Sequence, residues 1–141
     1  MKIAIKNYQK KIPIHPRRIS SSILNALSKE GVKKSGDITI CFAGDKKIRQ
    51  LNKKYHLRDS STDVLAFDLS NDISRSLFAD IAISVDTAIR NAKIFRTTPQ
   101  DEINLYIVHG ILHLLGYNDN NSRQRKIMNK KSDQILKNLY Q

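Results

Sequence analysis

The chain has one cysteine, Cys41, set in the apolar run Ile38-Thr39-Ile40-Cys41-Phe42. A single thiol closes no intrachain disulfide, and its expected role is that of a small buried apolar residue. A lone cysteine without a signal peptide points to a reducing, cytoplasmic compartment. The first 18 residues, MKIAIKNYQKKIPIHPRR, alternate apolar and polar residues and hold no continuous apolar stretch of the signal-peptide kind. Nowhere does the chain approach the roughly 20 consecutive apolar residues that a helix needs to cross a bilayer, so no membrane partner is expected. Internal repeats, low-complexity tracts and linkers are missing too, and 141 residues is the size of one domain. Residues 1–141 are therefore expected to share a single core. Acid is also scarce: 13 Asp plus Glu stand against 25 Lys plus Arg, a formal net charge of +12. That imbalance favours a polyanionic partner such as RNA, DNA or the ribosome. A lysine-rich composition of genomic origin would give the same count, so charge alone does not decide.

Hydrophobic residues make up 40% of the chain and charged residues 27%, an ordinary globular composition. A chain this long buries a core without disulfides or structural metals, so a bound metal would serve chemistry before stability. Alternation over residues 2–7 predicts a strand. Ile19, Ile23, Leu24 and Leu27 at helical spacing predict a helix over 17–30, stopped at Gly31. Residues 37–43 read as a second strand. A short helix follows from Asp45 to about Tyr55, with Ile48 and Leu51 inward. Residues 56–62 form a polar loop, and 63–69 and 80–85 are two further strands. Asp86 starts a helix to about Ile94. Thr98-Pro99-Gln100-Asp101 is a helix start, with Thr98 as N-cap, Pro99 in the first helical position and acid in the first turn. That helix runs to about Leu115, before Gly116, and a basic helix covers about 121–139. Strands and helices mix without strict alternation. This predicts an α+β fold, a small mixed four-stranded sheet surrounded by helices.

The chemistry concentrates in HGILHLLGYND, residues 109–119. His109 and His113, four apart on a helix, project from one face and can share a metal ion. The remainder of that helix is apolar nearly all round, which predicts a central, buried helix whose imidazoles need polar partners. Gly116 can take a left-handed conformation and turn the chain back, bringing Asp119 over the two histidines as a third, oxygen ligand. Two readings stand for Asp119: metal ligand, or part of an Asn118-Asp119-Asn120 turn leading into the last helix. Gly110 occupies the position where H-E-x-x-H metalloproteases carry a general-base Glu, which disfavours peptide hydrolysis by that route. A bound cation can still acidify water or take up charge on phosphate oxygens.

The segment HGILHLLGYND resembles the signature of the bacterial YbeY family of endoribonucleases, approximately HGxLHLxGYDH. Upstream, LNKKYHLRDSSTDVLAF (51–67) resembles a second family block ending in TDVLSF, and DIAIS (80–84) a third. The match covers most of the chain, and three ordered blocks together are highly specific. The resemblance implies one α+β domain and one divalent metal, usually Zn2+, with His109 and His113 as ligands. It implies hydrolysis of single-stranded or junction RNA in maturation of the 16S rRNA 3′ end and in ribosome quality control, with contacts to the small subunit and its proteins. Three departures stand out. The third family histidine falls on Asp119, giving a His2Asp set. A family arginine beside the metal falls on His56, with Arg58 two residues on. Ala66 and Asp68 replace the Ser and the following Pro of the TDVLSF block.

Arg58 is a candidate phosphate clamp, since a guanidinium binds phosphate bidentately; a solvated loop arginine is the other reading. His56 is a candidate acid/base or extra ligand, or an exposed loop histidine. Thr62 and Asp63 are expected to be structural. Tyr117 either stacks on a base or packs beneath its turn. Two basic groups are candidate RNA contacts. One lies on the last helix around Lys126 and Lys130, with Arg123, Arg125, Lys131 and Lys137. The other is Lys46, Lys47, Arg49, Lys53 and Lys54. Besides a metal-dependent endoribonuclease, an RNA- or ribosome-binding assembly factor with weakened or lost catalysis fits the same sequence.

Overall fold

A computed structural model describes residues 1–56, 63–71 and 76–139. The chain runs β1 (Lys2–Asn7), α1 (Pro16–Lys29), β2 (Gly36–Ala43), α2 (Asp45–His56), β3 (Val64–Asp68), β4 (Leu77–Ser84), α3 (Val85–Phe95), α4 (Pro99–Leu114) and α5 (Ser122–Asn138). The four strands form one sheet in the order β1-β2-β4-β3. β1 and β4 both lie parallel to β2, and β3 runs antiparallel to β4. This is the mixed α+β arrangement expected from the sequence. β4 begins at Leu77, three residues before the expected Asp80, because its ladder with β2 reaches back to the pair Gly36–Leu77.

Alternation gives the sheet two unlike faces. Ile38, Ile40 and Phe42 of β2 and Leu77, Ala79, Ile81 and Ile83 of β4 are buried in one large core with Ile19, Ile23 and Leu27 of α1. The same core takes Ile103, Ile107, Val108, Ile111 and Leu112 of α4. Each of those five side chains contributes about 1.5–3 kcal/mol by leaving water. The opposite face carries a smaller cluster of Ala43, Leu65 and Ala82 beneath Ile48 of α2, with Leu51 partly buried against it. Cys41 points to this second face and is half-buried, not fully buried as expected, since α2 shelters only part of it. Burial raises its thiol pKa, and Lys47 and Lys6 pull it partly back.

Local chemistry sets the helix ends. Thr98 accepts from the Asp101 N–H while the Asp101 carboxylate accepts from the Thr98 N–H, a complete capping box, and Pro99 follows in the first turn. At the other end of α4 the Tyr117 N–H donates to the Leu112 carbonyl at 3.0 Å and the Gly116 N–H to the His113 carbonyl at 3.1 Å. Gly116 has φ +100°. These are the paired bonds of a Schellman motif, which satisfies the last carbonyls and reverses the chain.

Candidate metal and RNA site

α4 lies against β3 and β4 so closely that a Cβ at Gly110 would sit 3.2 Å from Cγ2 of both Val64 and Ile81. This contact fixes the helix rotation. The residue before Gly110, His109, comes beside the start of β3, and His113 lies one turn further on the same face. His109 is half-buried and His113 exposed. Burial pushes the His109 pKa down, Asp63 pulls it back up, His113 lowers it, and Asp119 and Asp133 raise it. The fold therefore favours neutral His109, the form that donates an electron pair to a metal.

Asp63 was expected to be structural, and part of its work is. Its Oδ1 accepts from the Val64 N–H at 2.8 Å and its carbonyl accepts from the Ser84 N–H at 2.9 Å. Its charge nevertheless acts on both His109 and Tyr106. Sequence reading also passed over a polar group on α4. Buried Glu102 accepts from Thr97 Oγ1 at 2.7 Å, and Tyr106 Oη accepts from Asn91 Nδ2 at 2.9 Å. Burial pushes the Tyr106 phenol up to about 12, with Glu102 adding to the shift. The i, i+4 spacing of Glu102 and Tyr106, next to an N-cap threonine, was the available signal.

Past Gly116, Asn118 Oδ1 accepts from the Asn120 N–H at 3.2 Å, and Asn121 caps α5 by accepting from the Gln124 N–H at 2.9 Å. Turn and cap thus fall to asparagines on either side of Asp119. Asp119 is exposed, and its carbonyl accepts from Arg125 at 3.2 Å. Tyr117 is half-buried against the core, as packing beneath the turn requires. Among the described residues no three His, Cys, Asp or Glu side chains are already arranged to hold a metal ion. By donor chemistry two helix imidazoles and a carboxylate would suit a zinc-class cation, and Asp119 is near enough for its charge to raise the His109 pKa. Arg58 lies outside the described residues, as does Thr62. His56 ends α2, and its side chain is likewise not described. His15 occupies the N-cap position of α1 without a side-chain capping bond.

The two basic groups divide on inspection. Arg123, Lys126 and Lys130 are exposed on α5 at helical spacing, and Lys53 and Lys54 are exposed on α2. Lys131 is instead engaged, donating to the Glu30 carbonyl at 3.2 Å and lying 3.4 Å from its carboxylate. Arg125 holds the Asp119 turn.

The family model described as Endoribonuclease YbeY matches residues 4–140. A protein named Endoribonuclease YbeY from Syntrophus aciditrophicus is 36% identical over 142 aligned positions, which span 96% of this chain and 88% of the relative. One of the same name from Parabacteroides distasonis is 36% identical over 125 positions, spanning 89% and 87%. The solution structure of TM1509 from Thermotoga maritima superposes with a TM-score of 0.63 at 22% identity, covering 96% of this chain and 89% of that one, and speaks for the fold. Taken with the histidine helix and its glycine-ended turn, a match running from residue 4 to residue 140 means that the chain belongs to the endoribonuclease YbeY family.

Proposed function

We propose that this chain is a metal-dependent endoribonuclease that trims the 3′ end of the 16S rRNA precursor in the cytoplasm, in contact with the small ribosomal subunit. As a family member it is a hydrolase that cuts RNA internally. The observation that supports the metal is the face of α4: His109 held neutral by burial, His113 one turn on, and Asp119 on the turn after Gly116. These three residues would hold one divalent cation, zinc by donor type. Once bound, the cation supplies Lewis acidity toward a phosphodiester and toward water.

The chain's own residues do the rest. Asp63, just ahead of β3, sets its negative charge beside His109 and raises the affinity of that ring for a cation. Arg58 grips a phosphate bidentately and His56 moves a proton. Lys126, Lys130, Lys53 and Lys54 hold the RNA backbone by charge. Gly110 leaves no place for the glutamate of a metalloprotease, because even a methyl there crowds Val64 and Ile81. RNA, not peptide, is the substrate consistent with that packing and with a net charge of +12.

The test is elemental analysis of purified wild type and Asp119→Ala, with RNA cleavage measured on the same samples. Wild type should carry close to one equivalent of metal and lose cleavage to a chelator. Asp119→Ala should lose metal and cleavage together. Salt-sensitive RNA binding with neither metal nor cleavage would make the chain an RNA- or ribosome-binding assembly factor instead.

A further inference from the structure

The second face of the sheet lies opposite the histidine helix, and of the residues assigned above it meets only those of α2. Ile81 and Val64 touch α4, so their strand neighbours Ala82, Asp80 and Leu65 point the other way. On that side lies a hollow of about 230 Å³ bounded by Lys6, Tyr8, Lys47, Tyr55, Phe67 and Asp80. Its rim is aromatic and open to water: Tyr8 is 60% exposed and Tyr55 56%. Tyr55 leans on Phe67 with ring centroids 5.1 Å apart and planes at 58°, an arrangement that holds its ring in place. Each exposed tyrosine has an ammonium over it. Lys47 Nζ is 5.7 Å from the Tyr8 centroid and Lys54 Nζ 5.2 Å from the Tyr55 centroid. Against these cations and Lys6 the hollow presents one carboxylate, Asp80.

We infer that this open sheet face is a docking platform for single-stranded RNA, separate from the histidine site and on the other side of the sheet. Large rings left in water on a monomer carry a hydration cost that a stacking partner removes. Planar bases are such partners, and a base that stacks on Tyr8 or Tyr55 displaces the ammonium from the ring face and leaves that lysine to meet the strand's phosphate. Aromatic rings with interleaved cations are the recurring solution for single strands, because unpaired bases offer their faces and a duplex does not. Strand β3 is the edge of the sheet between the two faces, so one RNA strand can rest on the platform and pass around that edge to α4. The platform would then add length to the RNA segment recognised, beyond the nucleotides at the cut. The inference rests on the reading that RNA is the substrate.

The chain has no tryptophan, which gives a clean reporter. Tyr8→Trp, Tyr55→Trp and, as control, Phe95→Trp on α3 (Phe95 is 64% exposed) are each made in a His113→Ala background that stops cleavage. Each is titrated with a fluorescently labelled oligouridylate of about 12 nucleotides, a length several stacking sites can share. Indole emission and RNA anisotropy are read together. Emission at positions 8 and 55 should quench in step with anisotropy while position 95 stays constant. Tyr8→Ala with Tyr55→Ala should raise the Kd at least about thirtyfold in the His113→Ala background and, where His113 is kept, raise KM for cleavage with kcat unchanged, and circular dichroism should show the fold intact. RNA that binds by anisotropy with both indoles silent and an unaltered Kd overturns the platform and leaves this face to a protein partner. RNA that fails to bind at all removes the platform and the nuclease reading together. Quenching by RNA that the His113 protein never cuts keeps the platform and removes only the nuclease.

Discussion

A methyl group at position 110 would lie 3.2 Å from Val64 Cγ2 and 3.2 and 3.3 Å from two carbons of Ile81, closer than ordinary carbon contacts of about 3.5–4.0 Å. Alanine gains roughly 1 kcal/mol over glycine in a helix interior, but overpacking a core costs about 1–3 kcal/mol. Gly110→Ala should therefore lose up to about 2 kcal/mol in urea unfolding and tilt His109 away from Asp63, so that cleavage falls more than stability does. Trimming the obstacle tests the cause. Val64→Ala in the Gly110→Ala background should recover activity, with a coupling of about 1 kcal/mol between the two sites; additive losses would place the fault elsewhere. In the sequence, Gly110 is legible only as a missing glutamate. Its packing role needs knowledge of which strand lies beneath it, a contact between residues 46 apart. The His109–His113 pair is legible because both lie on one helix and helical period alone places them. Asp63 is not, because its neighbourhood with His109 exists only once β3 has docked under α4.

Helices α1 and α4 end where the sequence offers a glycine suited to ending them. Gly31 and Gly116 both show positive φ and both close Schellman-type turns, and Thr98 forms a full capping box. These were legible because capping is local. α3 instead stops at Arg96, with φ 56° and ψ 43°, while the Thr97 N–H donates to the Ala92 carbonyl. An L-residue with a Cβ pays about 1–2 kcal/mol in that conformation, and no sequence rule marks an arginine as its occupant. Tertiary context imposes it, since the capping box of α4 begins two residues later and fixes where the chain must go. Arg96→Gly should relieve the strain, less glycine's larger entropy loss on folding. The expected net gain is about 0.5–1 kcal/mol, a rise in Tm of roughly 2–4 °C by differential scanning calorimetry. An unchanged or lower Tm would mean that contacts of the arginine side chain outweigh the backbone. The start of β4 was missed for a related reason: Leu77 and Phe78 join the sheet through pairing with β2, which no local pattern announces.

Across the whole molecule, the excess of positive charge makes each folded carboxylate matter. Asp86 ties three segments together, accepting from Lys11 Nζ at 2.6 Å and from the Asp45 N–H at 2.8 Å while standing in the first turn of α3. The Lys11 bond first, then the Asp45 N–H, hold its carboxyl below the ordinary 3.8. The folded state thus prefers the ionised form. Its contribution is present above about pH 4 and is lost as pH falls through and below 3.8, where the unfolded chain takes up the proton first. The Tm of wild type should drop steeply there, and Asp86→Asn should start lower at pH 7 and drop less. Salt separates the cations that meet RNA from those that hold the fold. Each phosphate neutralised on a single strand adds about 0.7 to the slope of log K against log salt. Lys126→Gln with Lys130→Gln should flatten that slope by about 1.4 and weaken binding alike for all sequences, with the unfolding midpoint unmoved. Lys131→Gln, one residue further along α5, should do the reverse. It loosens the link to Glu30 at the end of α1, costs about 1 kcal/mol or less of stability, and leaves the salt slope as it was. Equal slopes for all three proteins would mean that RNA does not lie along α5, and that the exposed lysines there are only a solvated helix face.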